Sequence, residues 1–165
     1  MSQSNGKTAT SETQETSFLG QLITQQVDDS EKERFFPGMY GKYYMLAQDY
    51  LYFWMRQHTR NWSGGYWRFH HVMAAGTDTV LSGYVFPLTE EGITVQISSN
   101  YYQGEMTAQA VGITAMLFAF NHVAWIAYEN NADDPIIHSL NEKYVCLKNF
   151  ALTLPEAVQI FRAID

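Results

Sequence analysis

The most constraining feature of the sequence is a 23-residue stretch, residues 106–128, that contains no Asp, Glu, Lys or Arg. A run of this length meets the criterion for a membrane-spanning helix, which needs about 20 apolar residues. Polar side chains interrupt it, however, and each would cost free energy in hydrocarbon unless it found a partner. They are Thr107, Gln109, Thr114, Asn121 and His122. The stretch therefore predicts a helix buried in a protein core.

The charge of the chain argues against nucleic acid and membranes as partners. The formal net charge is −7, whereas binding to DNA or to an anionic lipid surface needs clustered Lys and Arg. Residues 1–33 hold six acids and two bases, which leaves eleven acids against eight bases in residues 34–165. We therefore expect no direct nucleic-acid binding and no membrane binding.

The composition predicts one folded domain with an N-terminal tail. Of the 165 residues, 46% are hydrophobic and 16% are charged, which excludes disorder of the whole chain. Residues 1–17 contain eight Ser or Thr and no large apolar residue except Met1. They predict a disordered tail before a single domain at residues 18–165. The lone Cys146 can form no internal disulfide, and no secretory signal pattern is visible, so we expect a cytoplasmic protein.

Apolar spacing predicts two helices in the first 60 residues. Four apolar residues within residues 17–29 share one helical face behind an N-cap serine, which predicts a short docking helix. They are Phe18, Leu19, Leu22 and Ile23. The RFFPG segment, residues 34–38, is expected to break any helix. Residues 42–60 predict a longer helix with large residues at helical spacing. These residues are Leu46, Tyr50, Phe53, Trp54 and Gln57.

The middle of the chain predicts a small sheet, and the end predicts helices. Three runs have the composition or the alternation of strands, and short connections between them predict an antiparallel meander. They are residues 66–73, 80–86 and 93–98. After the uncharged helix, Asp134 as N-cap and Pro135 open a helix that extends to about residue 150, and a short helix ends at residue 163. This order predicts an α+β fold with helices packed on the sheet.

Sequence motifs give little support to catalysis. The phosphate-binding pattern GxxxxGK[ST] is absent, and a single cysteine cannot supply the ligands of a zinc deaminase. A group of charged residues superficially resembles a nuclease cluster but lacks its spacing, so solvated helix capping is the stronger interpretation. These residues are Asp133, Asp134, Glu142 and Lys143. We therefore expect no catalytic residues and no nucleotide hydrolysis.

The histidines and the cysteine are the remaining candidates for metal or nucleophile chemistry. His70 and His71 are adjacent on a strand and point to opposite faces, so only one of them could join His122 in a metal site. Buried or hydrogen-bonded histidine is the preferred interpretation. Cys146 could form a thiolate–imidazole couple with His138 or His122, but a lone cysteine among apolar residues is more often a small buried hydrophobe.

An aromatic cluster leaves a ligand-binding alternative open. Five aromatic residues could form a platform for a sugar or a base, although packing on a sheet is the simpler account. They are Trp62, Tyr66, Trp67, Tyr101 and Tyr102. The alternative is a small-ligand-binding domain or a metal-dependent enzyme that uses this cluster and a histidine. We expect no cofactor-binding residues and no metal ligands.

Several separated blocks resemble a known family. The blocks are RFFP (residues 34–37), YFWM (residues 52–55), GGYWRF (residues 64–69), GEM (residues 104–106), FNH (residues 120–122), PEA (residues 155–157) and AID (residues 163–165). In this order they resemble the plasmid antirestriction proteins of the ArdB/KlcA type, over residues 28–165. Phe36 stands where the family commonly has leucine in Phe-Leu-Pro, which affects packing more than function.

The resemblance implies an accessory protein of mobile DNA, carried by plasmids and conjugation. Such a protein protects incoming, unmodified DNA from the type I restriction endonucleases of a bacterial host. Its implied partner is the restriction enzyme or associated host machinery, without a cofactor and without catalysis. We expect protein interaction rather than DNA mimicry, because ten base pairs of duplex carry about twenty phosphates and residues 34–165 have eleven acids.

Overall fold

The computed structural model describes residues 21–62 and 64–165. Its strands are β1 (Leu22–Gln26), β2 (Thr59–Arg60), β3 (Trp67–Ala74), β4 (Val80–Pro87), β5 (Ile93–Ile97) and β6 (Tyr102–Met106). Its helices are α1 (Phe35–Tyr40), α2 (Tyr44–His58), α3 (Ala108–Glu129), α4 (Asp134–Ala151) and α5 (Ala157–Ile164). Two 3-10 segments, Asp29–Arg34 and Gly41–Tyr43, flank α1.

The strands form two antiparallel sheets, which confirms the α+β class. One sheet has the order β1-β3-β4 and the other has the order β2-β5-β6. The predicted single meander is wrong in one respect, because β5 pairs with β2 and β6 instead of β4. Helix α3 packs along β4 and comes close to the backbone of Val85, so this side of the strand is covered by a helix.

The predicted docking helix near the N-terminus is wrong in the part that the structure describes. Leu22 and Ile23 belong to β1, which pairs with β3 from Leu22 opposite Ala74 to Gln26 opposite His70. A segment this short has no reliable helical period, and pairing with the edge of β3 decides its conformation. Phe18, Leu19 and the tail predicted at residues 1–17 lie outside the described residues.

The RFFPG segment was predicted to break any helix, and this is wrong. Phe35 to Tyr40 form α1, with Pro37 as its third residue. The first turn of a helix tolerates proline because its amide would have no carbonyl partner there. The helix ends at Tyr40 and is capped by Gly41, whose φ of 56° lies in the region that favours glycine. Helix α1 therefore places Phe35 and Phe36 against the first sheet, where both are buried.

Helix α2 is confirmed, but the large residues at helical spacing do not all face the core. The helix ends at His58, and the last two residues of the predicted span form β2. Its buried residues are Ala47, Leu51, Trp54 and Met55. Phe53 is instead 49% exposed and Leu46 lies at the surface. Ala47 is also buried, and a pattern that counts only large side chains does not identify such a small core residue.

Helix α3 is the confirmed core helix. The helix is long and apolar enough to cross a membrane, but most of it is buried inside the protein. The helix packs against α2, α4, α5 and strands of both sheets. Fourteen of its 22 residues are buried. The apolar surface that suggests a membrane span is therefore covered by the protein itself.

The seven-residue spacing of Phe118 and Trp125 predicts that both face inward, and this is wrong. Phe118 is half-buried, with its ring centroid 5.5 Å from that of Trp54, but Trp125 is 61% exposed. A helix without charged residues has no polar face from which its orientation can be predicted.

Two later helices are confirmed, and the residue that precedes α5 binds the start of α3. Helix α4 begins at Asp134 with Pro135 in its first turn and Asp133 as N-cap, one residue before the predicted cap. At the start of α5, the Glu156 carboxylate accepts hydrogen bonds from the amide of Thr107, at 2.9 Å, and from its hydroxyl. Thr107 caps α3 in turn through Ala110. A carboxylate here also complements the helix dipole.

Gly112 sets the distance between α3 and β4, and this predicts a large effect of one methyl group. A Cβ at residue 112 would overlap the carbonyl oxygen of Val85 and lie 2.6 Å from Cβ of Phe86. We expect Gly112→Ala to lower the free energy of unfolding by about 1–3 kcal/mol, as overpacking does, despite the better helix propensity of alanine. Urea unfolding measures the change.

Gly38→Ala is the matched control, because Gly38 lies in α1 with nothing within 4 Å of its added Cβ. This change should be neutral or stabilise by up to about 1 kcal/mol. Equal effects of the two substitutions would contradict the close approach of α3 to β4.

Candidate functional site

The three histidines considered as metal ligands do not converge. His70 packs beside Tyr84, with ring centroids 5.5 Å apart, and His71 stacks on Phe35 at 5.6 Å on the other face of β3. His122 stacks on Tyr50 of α2 at 4.1 Å. Across residues 21–62 and 64–165, no group of three or more His, Cys, Asp or Glu side chains is placed to hold a metal ion.

Burial keeps these histidines neutral. It lowers the pKa of His70, His71 and His122, and the charge of Arg68 lowers the pKa of His70 further. Both ring nitrogens of His70 are buried without a hydrogen-bond partner. The protonated form of His70 would therefore leave a buried charge without a partner. These side chains contribute to aromatic packing in the fold.

The cysteine is protonated and lies in an apolar groove. Cys146 lines a groove of about 480 Å³ between α4 and the first sheet, together with Leu22, Leu81 and Val145. Burial raises the pKa of the Cys146 thiol to about 11. His138 lines the same groove, and its Nε2 lies 2.9 Å from Oε1 of Glu142. A thiolate–imidazole couple is therefore disfavoured here.

The five aromatic residues of the predicted platform lie in different places. Trp62 and Trp67 contact each other edge to face at 5.4 Å. Tyr102 is buried in β6 of the other sheet, and its hydroxyl donates to Gln159 at 2.7 Å. Tyr66 and Tyr101 are exposed at 86% and 93%. The chain therefore does not present one continuous platform of these residues.

The charged group on α4 does not form a carboxylate site. Asp133 and Asp134 are at the start of the helix, and Glu142 follows eight to nine residues later, about 12–14 Å along the axis. Lys143 donates to Ser139 at 2.6 Å, one turn earlier, and burial lowers the pKa of Lys143. Its backbone carbonyl accepts a bond from the buried Ser82 hydroxyl at 2.7 Å. The bond from Ser82 attaches α4 to the first sheet, β1-β3-β4.

Aromatic side chains on α2 and α3 form a surface of exposed and half-buried rings. We call this surface the aromatic ridge and define it by Tyr50, Phe53, His122, Trp125 and Tyr128. Trp125 and Tyr128 stack at 5.9 Å and are 61% and 64% exposed. Tyr50 stacks on His122 and lies 6.5 Å from Phe53. Sequence reasoning missed this surface because it placed Trp125 in the core.

A groove of about 400 Å³ lies beside the ridge, between α3 and α4. Its lining residues are Asn121, Ala124, Trp125, Tyr128, Ile137 and Asn141. Two aromatic rings and two side-chain amides therefore face the same space, which offers apolar contact together with hydrogen-bonding groups. Such a combination is typical of protein recognition surfaces.

Comparison with known proteins identifies the relatives of this fold. A model of the antirestriction protein family matches residues 60–165. Two Escherichia coli proteins called antirestriction protein KlcA are each 31% identical to this chain. One aligns over 140 residues, 84% of this chain and 92% of the relative, and the other over 148 residues, 87% and 94%.

A solved structure has a similar fold, with a TM-score of 0.71 and 28% identity over 87% of this chain and 95% of that chain. It belongs to work describing KlcA and ArdB as having a novel fold and antirestriction activity against type I DNA restriction systems in vivo but not in vitro.

Fold and surface together define a small α+β protein whose prominent features are exposed apolar surfaces beside helices. The family match covers more than half of the chain and agrees with the resemblance of the sequence blocks. The chain belongs to the antirestriction protein family.

The neutral state of the buried histidines predicts loss of stability in mild acid. Because the pKa of His70 is lowered in the folded state, the unfolded chain binds more protons below its pKa of about 6.5. The contribution of His70 to the free energy of unfolding should be constant above that pH and should fall as the pH drops through it. In His70→Leu, unfolding should take up fewer protons, so the decline between pH 7.5 and pH 5 should be less steep.

Phe86→Leu is the control, since Phe86 packs 5.3 Å from His70 and does not titrate. It should change the free energy of unfolding equally at both pH values. An unchanged slope in His70→Leu would show that this histidine is not the source of the acid sensitivity.

The raised pKa of Cys146 predicts slow alkylation. A shift from 9.0 to about 11 lowers the thiolate fraction at pH 8 roughly 100-fold relative to a free thiol. Labelling by iodoacetamide, followed by mass spectrometry, should therefore be slow and should rise about tenfold per pH unit up to pH 10. Cys146 is the only cysteine, so Cys146→Ser gives the background. Labelling faster than that of a free thiol would support an imidazole couple.

Proposed function

We propose that this protein protects incoming, unmodified DNA from type I restriction endonucleases of a bacterial host and does so in the cytoplasm. The observation that carries the proposal is membership of the antirestriction family. The structural relative supports the type I specificity, because activity against type I systems in vivo is described for it. We further propose that the gene travels on plasmids or other conjugative elements, as the resemblance to ArdB/KlcA proteins implies.

The proposed mechanism is contact with a host protein and not chemistry. KlcA and ArdB are described as active in vivo but not in vitro, which is the behaviour expected when a cellular component absent from the purified reaction is required. Contact with associated host machinery explains this behaviour more directly than inhibition of the isolated enzyme. The neutral histidines and the protonated Cys146 give no support to a catalytic alternative.

Charge mimicry of DNA is disfavoured as the mechanism. A mimic of ten base pairs needs about twenty ordered carboxylates, and residues 34–165 contain eleven acids offset by eight bases. One of these acids, Glu142, is engaged with His138. The remaining charge is too small for a duplex-like surface.

Phage plating tests the proposed function. Expression of the protein in a strain with an active type I system should raise the plating efficiency of unmodified phage by orders of magnitude. The matched restriction-deficient strain should show no change. His71→Ala and Cys146→Ser, each with its soluble yield measured, should retain protection, because neither side chain is assigned chemistry. Failure to protect against any type I system tried would remove the main support for the proposal.

A reaction with purified components separates the mechanisms. The purified protein should leave cleavage by a purified type I enzyme unchanged, and addition of a host cell extract should permit inhibition. Inhibition by the purified protein alone, lost over several decades as salt rises, would indicate charge mimicry instead.

A further inference from the structure

The aromatic ridge and its groove have a composition that the core does not require. Trp125 is 61% exposed and Tyr128 is 64% exposed, although both belong to a helix that is otherwise largely buried. Exposed aromatic rings make no large contribution to stability where they are, but Trp and Tyr are enriched among the residues that dominate protein interfaces. These two rings stack on each other at 5.9 Å. Their stacking keeps a broad apolar face turned outward.

The ridge is continuous across α2 and α3. The ring centroid of Trp54 lies 5.5 Å from that of Phe118, and the ring centroid of Tyr50 lies 4.1 Å from that of His122. Tyr50 precedes Trp54 by four residues on α2, whereas His122 follows Phe118 by four residues on α3. The two helices are therefore antiparallel at this contact. Trp125 follows His122 by one helical turn, and residues three apart are neighbours on a helix surface. The exposed rings consequently form one surface.

The charge beside Trp125 and Tyr128 is acidic. Residues 106–142 contain no Lys or Arg, and the turn between α3 and α4 carries Glu129, Asp133 and Asp134, all exposed. On α2 the exposed Arg56 follows Phe53 by one turn and the exposed Asp49 precedes Tyr50, so the acidic excess lies at the α3–α4 end of the ridge. A cation placed over the face of Trp125 or Tyr128 would gain from the ring quadrupole and also from these carboxylates. A polyanion such as DNA would be repelled.

We propose that the aromatic ridge, with the groove between α3 and α4, is the docking site for a basic and apolar segment of a host protein. An aliphatic side chain of that segment enters the groove against Ile137 and Ala124. An Arg or Lys lies over Trp125 and Tyr128, within reach of the acidic turn. The amides of Asn121 and Asn141 bind its backbone.

This proposal rests on the proposed function, which requires a host protein as partner. Proteins that handle DNA carry clustered Lys and Arg on the surfaces that contact phosphate. An acidic aromatic site is complementary to such a surface while presenting far fewer carboxylates than a DNA mimic. The choice of a basic partner therefore follows from the same charges that disfavour mimicry.

Surface substitutions test the docking site in the plating assay. The double variant Trp125→Ala, Tyr128→Ala should lose at least tenfold in protection, and Asp133→Lys with Asp134→Lys should do the same. The changed residues are exposed, so the thermal midpoint should stay within a few degrees of the wild-type value. Tyr101→Ala, at a tyrosine 93% exposed in the turn before β6, and Glu90→Lys with Glu91→Lys, at exposed acids between β4 and β5, are the matched controls and should keep full protection.

The outcomes separate this proposal from the proposed function. If the wild-type protein protects and both ridge variants protect equally well, the docking site is wrong but the proposed function is retained. Absence of protection by the wild-type protein removes the function instead. In that case the binding of a peptide to the purified protein still tests the docking site.

A synthetic peptide gives the direct measurement. The probe is a labelled 14-residue peptide of alternating Arg and Leu pairs, and its control replaces every Arg with Glu. At 150 mM salt the wild-type protein should bind the basic probe and not the acidic one, by fluorescence anisotropy. Trp125→Ala, Tyr128→Ala should weaken binding at least tenfold, and Tyr101→Ala should not. Equal affinity of the ridge variant and the Tyr101 control would overturn the proposal. If the double variant misfolds, the reversal at Asp133 and Asp134 is measured in its place with the same criterion.

Discussion

The close approach of α3 to β4 at Gly112 is the contact on which the rest of the structure depends. Because no side chain separates the helix from the carbonyl of Val85, α3 covers one side of β4. The second sheet is built separately, from β2, β5 and β6. α3 contacts strands of both sheets and three other helices, so this helix joins two otherwise separate sheets.

The amino-acid sequence predicts the local structure well where the pattern is long and self-sufficient. α2 follows from apolar periodicity, α3 from its long uncharged stretch and α4 from its capping residues, whereas β3, β4 and β5 follow from strand composition or alternation. β1 and β2 do not, since Leu22–Gln26 and Thr59–Arg60 become strands only by pairing with distant partners. Pro37 was expected to break a helix, but it lies in the first turn of α1, where proline is tolerated.

The candidate site could be predicted only in part. The sequence indicates that the histidines and Cys146 are structural, and their burial agrees with that interpretation. The aromatic ridge could not be predicted, because the side of α3 that faces solvent is as free of charge as the sides that face the core. Only the positions of α2 and α4 decide that Trp125 points outward. Orientation of an evenly apolar helix is a tertiary property.

The even apolarity of α3 also bears on how this chain reaches its folded state. Before α2, α4 and the sheets surround it, the segment 108–129 exposes a hydrophobic surface on every side, and such surfaces promote aggregation during folding. Its shielding partners lie both earlier and later in the chain, and the contacts of β1 with β3 span more than 40 residues. We therefore expect burial of this helix to be a slow step of folding. Until then, the exposed helix is a segment that chaperones would bind.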